Sequence, residues 1–459
     1  MTGARFIAVI DIGKTNAKFA LFDLAEQQEV DRFTTPNDVV KGGVYPHYNI
    51  EHLWIFILDG LRAFAAKHAV DAISITTHGA CAVLLDEAGR LALPVLDYEY
   101  TGIESTASAY DALRPDFAQT GAPRLPVGLN LGAQIYWQAK TFPQEFAKVR
   151  WIVTYAQYWA YRLSGILANE VTSLGCHTDL WNYNTRNYST LVDTLGWRKF
   201  MPPLRHADEV LGPIMPNVAE LTGLKSNTPI YCGIHDSNAS LYPHLAARKP
   251  PFAVVSTGTW VICMAIGGAA VTLDAARDTL MNVNARGEPV PSARFMGGRE
   301  YQILSTEFGD TPTEVDADLV LARHAVLLPS VVGACGPFPN HKTKWLNADG
   351  LTAQQKQLAA SYYLAMMTAT CLSLIGADGP IILEGPFSEN LAYMQMLSAA
   401  TGRAVVPSDA KGTGATQGAA LLCNPALSPP VATHIVNETR AELLAYAAIW
   451  QTKTANSLQ

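Results

Sequence analysis

The stretch Asp11–Asn16 combines residue types that can hold a metal ion and a phosphate group. Gly13 would let the backbone come close to a ligand, because it has no side chain. The turn amides and the Thr15 hydroxyl can donate hydrogen bonds to phosphate oxygens, and Lys14 adds positive charge. Asp11 can hold Mg²⁺ through water, since Mg²⁺ keeps several waters and takes few carboxylates. Asp-x-Gly also forms ordinary hairpin turns, so the stretch predicts either a phosphate site or a simple turn.

A second donor-rich turn lies at Ser256–Thr259 and has no carboxylate opposite it. If it faced the first turn across a cleft, Thr257, Gly258 and Thr259 would hold the same phosphates from the other side. Ser, Thr and Gly are also common in turns that bind nothing. By itself this stretch therefore carries less information than the first.

Asp236 follows the apolar strand Pro229–Cys232, at the point where a helix is expected to begin. A carboxylate there could accept a proton from a substrate hydroxyl. Phosphoryl transfer depends mainly on positioning and charge neutralisation, so a weak base that orients the hydroxyl is sufficient. The alternative is a structural aspartate that caps the helix. His235 could be a core histidine or a substrate contact, and we favour a supporting role.

Two late junctions could bind a base and a ribose. The strand Pro380–Glu384 leads through Gly385–Asn390 into a helix at Leu391–Ala400, which Gly402 closes. Gly412–Ala420 is a loop of small residues entering another helix. Small residues also permit close helix packing, which is the alternative for both junctions.

The elements around these residues alternate between strand and helix. Strands are predicted at Arg5–Asp11, Ala17–Asp23, Glu29–Thr34 and Ala72–Thr76, with a helix at His52–His68. This order predicts an α/β layer fold. After the proline-rich Arg248–Pro251, Phe252–Thr259 and Val261–Ile266 repeat the opening strand–turn–strand pattern. The repeat indicates an internal duplication, with domains at 1–247 and 248–459, unless the two hairpins are unrelated.

Composition narrows the class of protein. Of 459 residues, 49% are hydrophobic and only 16% are charged, which excludes a disordered chain or a coiled coil. A net charge of −7 argues against nucleic acid as a partner. Two uncharged stretches, 250–273 and 357–377, are interpreted as buried strands and a buried helix rather than membrane spans. Seven dispersed cysteines fit free thiols in a reducing cytoplasm.

Taken in order along nearly the whole chain, these pieces resemble the FGGY family of carbohydrate kinases, in the actin-like ATPase superfamily. The segments that carry the resemblance are Asp11–Lys18 and Ser256–Trp260 for phosphate, Thr77–Asp86 and Asp97–Glu99 for sugar, Val171–Ser173 as a Thr/Ser signature, Gly233–Ala239 for catalysis, and Glu384–Asn390 with Gly412–Ala420 for adenosine. A single motif would be weak, but their common order is specific.

The resemblance implies two ribonuclease-H-like lobes with a cleft between them, closing over ATP, Mg²⁺ and a sugar. It implies Asp236 as the catalytic base and Asp11 near the metal. The implied sugar contacts are His78, Gly79, Asp97, Glu99, His235 and Asp236. The implied nucleotide contacts are Gly13, Lys14, Thr15, Asn16, Thr257, Gly258, Thr259, Gly385, Asn390 and Gly414. A homodimer is a family expectation.

The motifs indicate the identity of the sugar less specifically than they indicate the family. His235-Asp236 with Ser256–Trp260 resembles kinases of deoxy-ketohexoses, L-fuculose and L-rhamnulose, whereas Thr77–Ala80 leans toward xylulose kinases. Ribulose, glycerol-type polyols and a non-catalytic sugar or nucleotide sensor are the alternatives. Glu384-Gly385-Pro386 departs from the glycine-rich turn usual in the family, and Pro386 has no N–H to offer a nucleotide.

Overall fold

The computed structural model describes residues 4–309, 311–408, 414–431 and 434–458. The chain divides into two compact units. The first comprises Met1–Ala247, Met281–Pro289 and Lys411–Pro430, and the second comprises Arg248–Leu280, Val290–Ala410 and Val431–Gln459. The first division falls between residues 247 and 248, and the chain then returns twice to the first unit, which a single boundary does not describe.

The strands form two main sheets and several small two-stranded sheets. In chain order they are β1 Phe6–Ile12, β2 Asn16–Asp23, β3 Gln28–Pro36, β4 Val39–Val40, β5 His47–Tyr48, β6 Val70–Thr77, β7 Ala82–Leu85, β8 Trp151–Thr154, β9 Asn169–Glu170, β10 Trp181–Asn182, β11 Asn187–Tyr188, β12 Leu204–Arg205, β13 Val210–Pro213, β14 Pro229–Tyr231, β15 Ile234–His235, β16 Phe252–Thr257, β17 Val261–Ile266, β18 Thr279–Val283, β19 Pro289–Phe295, β20 Val326–Leu328, β21 Lys344–Leu346, β22 Ile381–Glu384 and β23 Val405–Pro407.

The helices follow the strands in both units. In chain order they are α1 Ile50–Ala65, α2 Ala107–Asp111, α3 Phe117–Thr120, α4 Leu131–Thr141, α5 Pro143–Phe146, α6 Tyr155–Ser164, α7 Val171–Leu174, α8 Thr190–Thr194, α9 Pro216–Thr222, α10 Asp236–Ala247, α11 Gly297–Leu304, α12 Glu314–Arg323, α13 Ala353–Leu374, α14 Leu391–Thr401, α15 Gly414–Leu421 and α16 Ala441–Ala455. Short 3₁₀ helices lie at Thr101–Thr106, Arg198–Phe200, Ala275–Arg277, Ser305–Glu307, Pro386–Glu389 and Asn456–Leu458.

The main sheet of the first unit has the order β13-β14-β6-β1-β2-β3, with β15 added beside β6. The hairpin β1–β2 is antiparallel, and β3 continues it antiparallel to β2. On the other side β6 runs parallel to β1, and β14 runs parallel to β6. β1 therefore lies inside the sheet and is almost wholly buried, as its unbroken apolar run predicts for a strand covered on both faces.

The sheet of the second unit repeats this arrangement. β16 and β17 form an antiparallel hairpin, β19 extends it beside β17, and β22 and β23 add in parallel beside β16. The order β19-β17-β16-β22-β23 is thus that of β3-β2-β1-β6-β14 in the first unit. Five strands agree in order and direction, which is what the predicted internal duplication requires.

Element boundaries agree closely with the sequence patterns. The predicted strand Val261–Ile266 coincides with β17, and the predicted helix Leu391–Ala400 becomes α14, which ends at Gly402 in the left-handed conformation. The uncharged stretch 357–377 lies mostly in α13, which is buried on nearly all sides and begins with a capping box between Thr352 and Gln355. Within the described ranges, no helix is both long and apolar enough to cross a membrane.

One close helix contact holds the start of α10 in place. Its residue Ala239 lies against Gly418 of α15, and a Cβ on that glycine would come within 1.7 Å of the Ala239 carbonyl oxygen. Only a residue without a side chain permits this approach. The small residues of Gly414–Ala420 therefore serve the close packing that was the alternative to a nucleotide site. The preceding residues Gly412 and Thr413 lie outside the described ranges.

Candidate active site

Asp11 lies near the end of β1, between Lys18 of β2 and Thr76 of β6 in the sheet register. Its Oδ2 is 3.7 Å from Lys18 Nζ and accepts a long hydrogen bond of 3.4 Å from Thr416 Oγ1. Burial raises the pKa of Asp11 to about 6, against the charge of Lys18, and the charge of Asp236 adds to the increase. A partly desolvated carboxylate of this kind gains from a cation beside it.

The turn after β1 is held in one shape by its own backbone and by Asn37. The Gly13 N–H donates to the Asn16 carbonyl at 3.0 Å, while Asn37 donates its side-chain amide to Gly13 O at 2.8 Å and its backbone N–H to Thr15 O at 2.9 Å. Thr15 and Asn16 are exposed. Their side chains are therefore accessible on a fixed turn, as the phosphate prediction requires, although the role stays a prediction.

Lys14 belongs to the same turn but contacts acidic residues. Its ammonium donates to Asp97 Oδ1 and lies 3.3 Å from Glu99 Oε2. It also lies 4.7 Å from the ring centre of Tyr98 and 5.2 Å from that of Tyr48. The residue predicted to hold phosphate therefore contacts two of the predicted sugar residues.

His78 follows β6 and is enclosed by aromatic rings. The centres of Tyr48, Tyr98 and Tyr155 lie within 5.8 Å of its own ring centre. Burial lowers the pKa of His78 to about 4, so the ring is neutral near pH 7. Among the described residues neither ring nitrogen has a hydrogen-bond partner. A buried imidazole with both nitrogens unused is able to bind a polar ligand.

Gly79 leaves the space that the ring of His235 occupies. A Cβ on this glycine would lie 2.2 Å from His235 Cδ2. The two predicted sugar contacts are thus placed together by packing.

Asp236 is the first residue of α10 and remains partly open to solvent, with 36% of its side chain exposed. Its Oδ1 accepts a hydrogen bond of 2.6 Å from the N–H of Ser237 and lies 3.4 Å from His235 Nε2. The preceding bend requires Gly233, whose φ is +88° and whose Cβ would meet the Ile75 carbonyl at 2.8 Å. Gln157 fixes this bend by donating to the carbonyls of Cys232 and Gly233. The carboxylate therefore has a defined position.

A buried group behind Asp236 was missed in the sequence. Glu170 accepts hydrogen bonds from the N–H and hydroxyl of Thr172, and Thr172 Oγ1 in turn accepts one from the N–H of His235 at 3.1 Å. Burial raises the pKa of Glu170 to about 7, although its hydrogen bonds act in the opposite direction. The spacing of an acid two residues before Thr172, at the start of a helix, was the available signal.

Cys176 is a second residue that the motifs did not indicate. It is buried against His177 and His235. Burial would raise the pKa of its thiol, but the two histidines outweigh that effect and lower it to about 5. For His235, burial is likewise outweighed by Cys176 and Asp236, which raise its pKa to about 9. Cys176 and Asp236 therefore favour the charged form of the histidine.

In the second unit, the hydroxyl of Thr257 joins the predicted phosphate turn to the predicted adenosine segment. Thr257 Oγ1 donates to the carbonyl of Glu384 at 2.5 Å and accepts from the N–H of Phe387 at 3.1 Å. Gly385 has a φ of +81°, and its Cβ would lie 2.0 Å from the Thr257 carbonyl oxygen. The exposed residues Gly258 and Thr259 complete the turn. Thr257 therefore has a structural contact in addition to its predicted role.

Asn390 caps helix α14 and lines a cleft of about 750 Å³. Its side chain accepts from the N–H of Tyr393 and donates to Ser361 Oγ at 3.0 Å. Pro386 begins a single 3₁₀ turn, a position where a missing N–H leaves no helical bond unmade. Nucleotide binding by Gly385 and Asn390 stays a prediction, and the proline does not distort the turn that carries them.

The first unit thus brings together Asp11, Lys14, His78, Gly79, Asp97, Glu99, His235 and Asp236. Gly414 lies in the same unit but at the start of α15, 3.5 Å from Ser240 when given a Cβ. The second unit brings together Thr257 and Gly385, while Asn390 lies in the neighbouring cleft. Each unit by itself carries a cluster of the predicted residues.

Comparison with known proteins identifies the family. The N-terminal domain of the FGGY family of carbohydrate kinases matches residues 6–242, and the FGGY carbohydrate kinase C-terminal domain matches residues 249–430. The chain belongs to the FGGY family of carbohydrate kinases.

Individual relatives give the degree of likeness. A carbohydrate kinase from Novosphingobium aromaticivorans has 34% identity and a TM-score of 0.92 over 99% of this chain and 100% of that one. A xylulose kinase from Lactobacillus acidophilus, at 16% identity and a TM-score of 0.77 over 99% and 97% of the chains, shares the fold. The predicted two-lobe actin-like ATPase fold is therefore confirmed.

The L-fuculokinase of Salmonella typhi is 23% identical over 271 residues, which are 57% of this chain and 57% of that protein. An autoinducer-2 kinase from Escherichia coli is 30% identical over 153 residues, 33% of this chain and 27% of that one. The aligned region thus spans little more than half the length of the fuculokinase.

Proposed function

We propose that the protein is an ATP-dependent kinase that phosphorylates a terminal hydroxyl of a ketose. The substrate that we propose is a deoxy-ketohexose such as L-fuculose or L-rhamnulose. The observation that carries this proposal is the cluster around Asp236, a partly exposed carboxylate on a fixed helix start, in the same unit as His78, Asp97 and Glu99. Family membership supports a kinase, and the similarity to L-fuculokinases supports the deoxy-ketohexose.

Asp236 would act as the base in this reaction. Its Oδ1 is oriented by the Ser237 N–H, and Oδ2 remains to accept the proton of the attacking sugar hydroxyl. His235 beside it and the Glu170–Thr172 pair behind it keep the carboxylate in place. Holding the hydroxyl in line is worth more here than strong basicity, because phosphoryl transfer is dominated by positioning and charge neutralisation.

The residues around Asp11 fit a hydrated Mg²⁺ ion. Asp11 is mostly buried, and its Oδ2 lies 3.7 Å from Lys18 Nζ and 3.4 Å from Thr416 Oγ1. Burial holds its pKa high, so a divalent cation would favour its ionised form. When bound with ATP, Mg²⁺ neutralises phosphate charge. Thr15 and Asn16 would donate to phosphate oxygens, as would Thr259 in the second unit, whose Gly385 and Asn390 would contact adenosine. Gly13 and Gly258 already donate their N–H groups to Asn16 and Trp260, and the Thr257 hydroxyl donates to Glu384, so these three would shape the turns rather than donate to phosphate.

The substitution Asp236→Asn tests the proposal, since it keeps the size of the side chain and removes the base. We expect kcat to fall by about 10²–10⁴-fold, with sugar binding and the thermal unfolding midpoint largely unchanged. The matched control is Asp59→Asn, at an exposed aspartate on α1 that contacts Arg62, and it should leave kcat unaltered. Near-normal turnover in Asp236→Asn would refute the assigned role.

A panel of sugars in a coupled ADP-release assay decides the substrate. L-fuculose-type and L-rhamnulose-type ketoses should give the highest kcat/KM. A relative named probable L-xylulose kinase, from Pasteurella multocida and 24% identical over 50% of this chain, makes pentuloses the second group to assay. Binding of a sugar without ADP release for any member of the panel would favour the sensor instead.

A further inference from the structure

Lys14 differs from its neighbours in the first turn by the direction of its side chain. Thr15 and Asn16 are exposed at the tip of the turn, whereas the Lys14 ammonium contacts Asp97 Oδ1 and lies 3.3 Å from Glu99 Oε2. Lys18, four residues later, contacts Asp11 and Glu29 at 3.7 and 3.3 Å. Two lysines of one motif therefore neutralise different carboxylates.

Aromatic rings fix the Lys14 ammonium in this place. Tyr98 and Tyr48 lie 4.7 and 5.2 Å from it, within the range of cation–π attraction, and only 20% of the Lys14 side chain is exposed. An ammonium with two carboxylates and two rings around it loses much on moving away. The geometry therefore keeps the charge beside Asp97 and Glu99.

The ammonium also determines what the two carboxylates can do. Both lie within reach of one nitrogen, whose positive charge offsets the repulsion between them. Because both contact the same ammonium, the two carboxylates lie close together and can accept hydrogen bonds from the hydroxyl groups of one ligand. Such an acceptor pair fits a substrate with neighbouring hydroxyls.

The charge of the surrounding cleft indicates a neutral substrate. A cleft of about 620 Å³ contains the charged residues Lys14, Lys41, Asp38, Asp97 and Glu99. Two positive and three negative groups leave this lining at −1 near pH 7. A sugar acid would bring a further negative charge into it, whereas a neutral ketose or polyol would not.

We propose that Lys14 is a positioning residue of the sugar site, which holds the carboxylates of Asp97 and Glu99 in place for the hydroxyls of a neutral sugar. This assignment rests on the proposed kinase function. It moves Lys14 from the phosphate contacts, where the sequence places it, to the recognition of the acceptor. The consequence is a selective effect on the sugar KM.

The test compares the two Michaelis constants in the variant Lys14→Met. We expect the sugar KM to rise roughly tenfold or more, as for loss of a charge-assisted hydrogen bond, while kcat and the ATP KM change by less than about threefold. Lys14→Gln keeps an N–H donor and should fall between wild type and Lys14→Met. The control Lys67→Met removes the charge of an exposed lysine of the first unit, which contacts Asp31 outside this cleft, and should alter both constants by less than about threefold.

Each outcome has a defined meaning. A raised ATP KM with an unchanged sugar KM would overturn the assignment and return Lys14 to the phosphates. A wild-type preference for a sugar acid such as an aldonate over neutral ketoses would also overturn it, because the charge argument would fail. If Lys14→Met does not fold, the Lys14→Gln constants decide alone. Wild-type protein that releases no ADP with any sugar would refute the proposed function, and Lys14 with it, whereas an active wild type isolates the Lys14 result.

Discussion

The turn between β1 and β2 in the first unit and the turn between β16 and β17 in the second occupy the same place in sheets of the same order. In both, the N–H of the turn glycine donates to a carbonyl at 3.0 Å, from Gly13 to Asn16 and from Gly258 to Trp260. Their surroundings differ. The first turn is held by Asn37 and has charged neighbours, whereas the second is held by backbone packing and by one buried hydroxyl.

The comparison shows that the same strand–turn–strand backbone can serve ligand binding in one unit and packing in the other. Near the first turn, Lys14, Lys18 and Asp11 form charged contacts, so substitutions there should change binding and turnover more than stability. At the second, Gly298 lies so close that its Cβ would come within 1.9 Å of the Gly258 carbonyl, and Gly385 meets Thr257 in the same way. Substitutions at the second turn should change the free energy of unfolding more than they change binding or turnover.

Gly385→Ala should have the largest effect on stability. The residue has a φ of +81°, and the new Cβ would lie 2.0 Å from the backbone oxygen of Thr257, so the two segments must separate. We expect a loss of at least about 3 kcal/mol in the free energy of unfolding, measured by denaturant titration.

The matched control is Gly402→Ala, in the same unit. Gly402 has a φ of +65°, and no atom of the described residues lies within 4 Å of its Cβ position, so only the backbone conformation is penalised, by about 1 kcal/mol. Equal losses in the two variants would mean that the close approach at Gly385 contributes nothing, and the second turn would not be held by packing.

Glu300→Gln should increase stability at neutral and alkaline pH. Glu300 lies in the first turn of α11, two residues after Gly298, and accepts from Tyr363 Oη at 2.8 Å and from the Val332 N–H at 3.1 Å. Burial raises the pKa of its carboxyl to about 7. The Glu300 carboxyl therefore binds a proton more tightly in the folded state than in the unfolded state. This difference stabilises the wild-type fold fully below pH 4.5, and the stabilisation is lost as the pH rises through about 7.

We therefore expect the stability of Glu300→Gln relative to wild type to rise by roughly 2–3 kcal/mol between pH 5 and pH 8, measured by denaturant titration at each pH. The exposed glutamate Glu314 of the same unit is the control, and its Gln variant should change stability by less than about 0.5 kcal/mol at either pH. A flat difference across this range would show that Glu300 is not held protonated behind the second turn.

The sequence predicted the backbone of both hairpins better than the side chains on them. Apolar runs ending in Gly and Thr define β1, β16 and their turns within one or two residues, because burial on both faces leaves few alternatives. The direction of Lys14 could not be predicted, since four flexible carbons allow its ammonium to reach either phosphate or Asp97. The return of residues 281–289 to the first unit depends on tertiary packing, for which local sequence has no signal.

Sequence motifs also fail to show when a residue has a structural role, either beside its predicted binding role or in place of one. Asn390 matches an adenosine contact by motif, and the structure also makes it the cap of α14, a task that many Asn residues perform before a helix. Glu170 has no recognisable motif, yet its carboxylate supports the segment that carries Asp236 through Thr172. A buried acid is evident only when its desolvation is known, and that depends on the whole fold.

The smallest effects, and the most direct contrast, come from removing one hydroxyl from each turn. In Thr257→Val, the Phe387 N–H loses its acceptor and the Glu384 carbonyl loses this donor, so unfolding free energy should fall by about 2 kcal/mol. In Thr15→Val, an exposed hydroxyl is removed, and stability should change by less than about 0.5 kcal/mol.

The ATP KM, unlike stability, should respond strongly to the change at Thr15. Because its hydroxyl is proposed to donate to phosphate, Thr15→Val should raise the ATP KM about tenfold while leaving the unfolding curve in place. Thr257→Ser keeps the hydroxyl and should restore the stability lost in Thr257→Val, which separates the hydrogen bonds from the change in shape. A destabilised Thr15→Val with a normal ATP KM would remove the distinction between the turns, since both would then serve only to hold their sheets together.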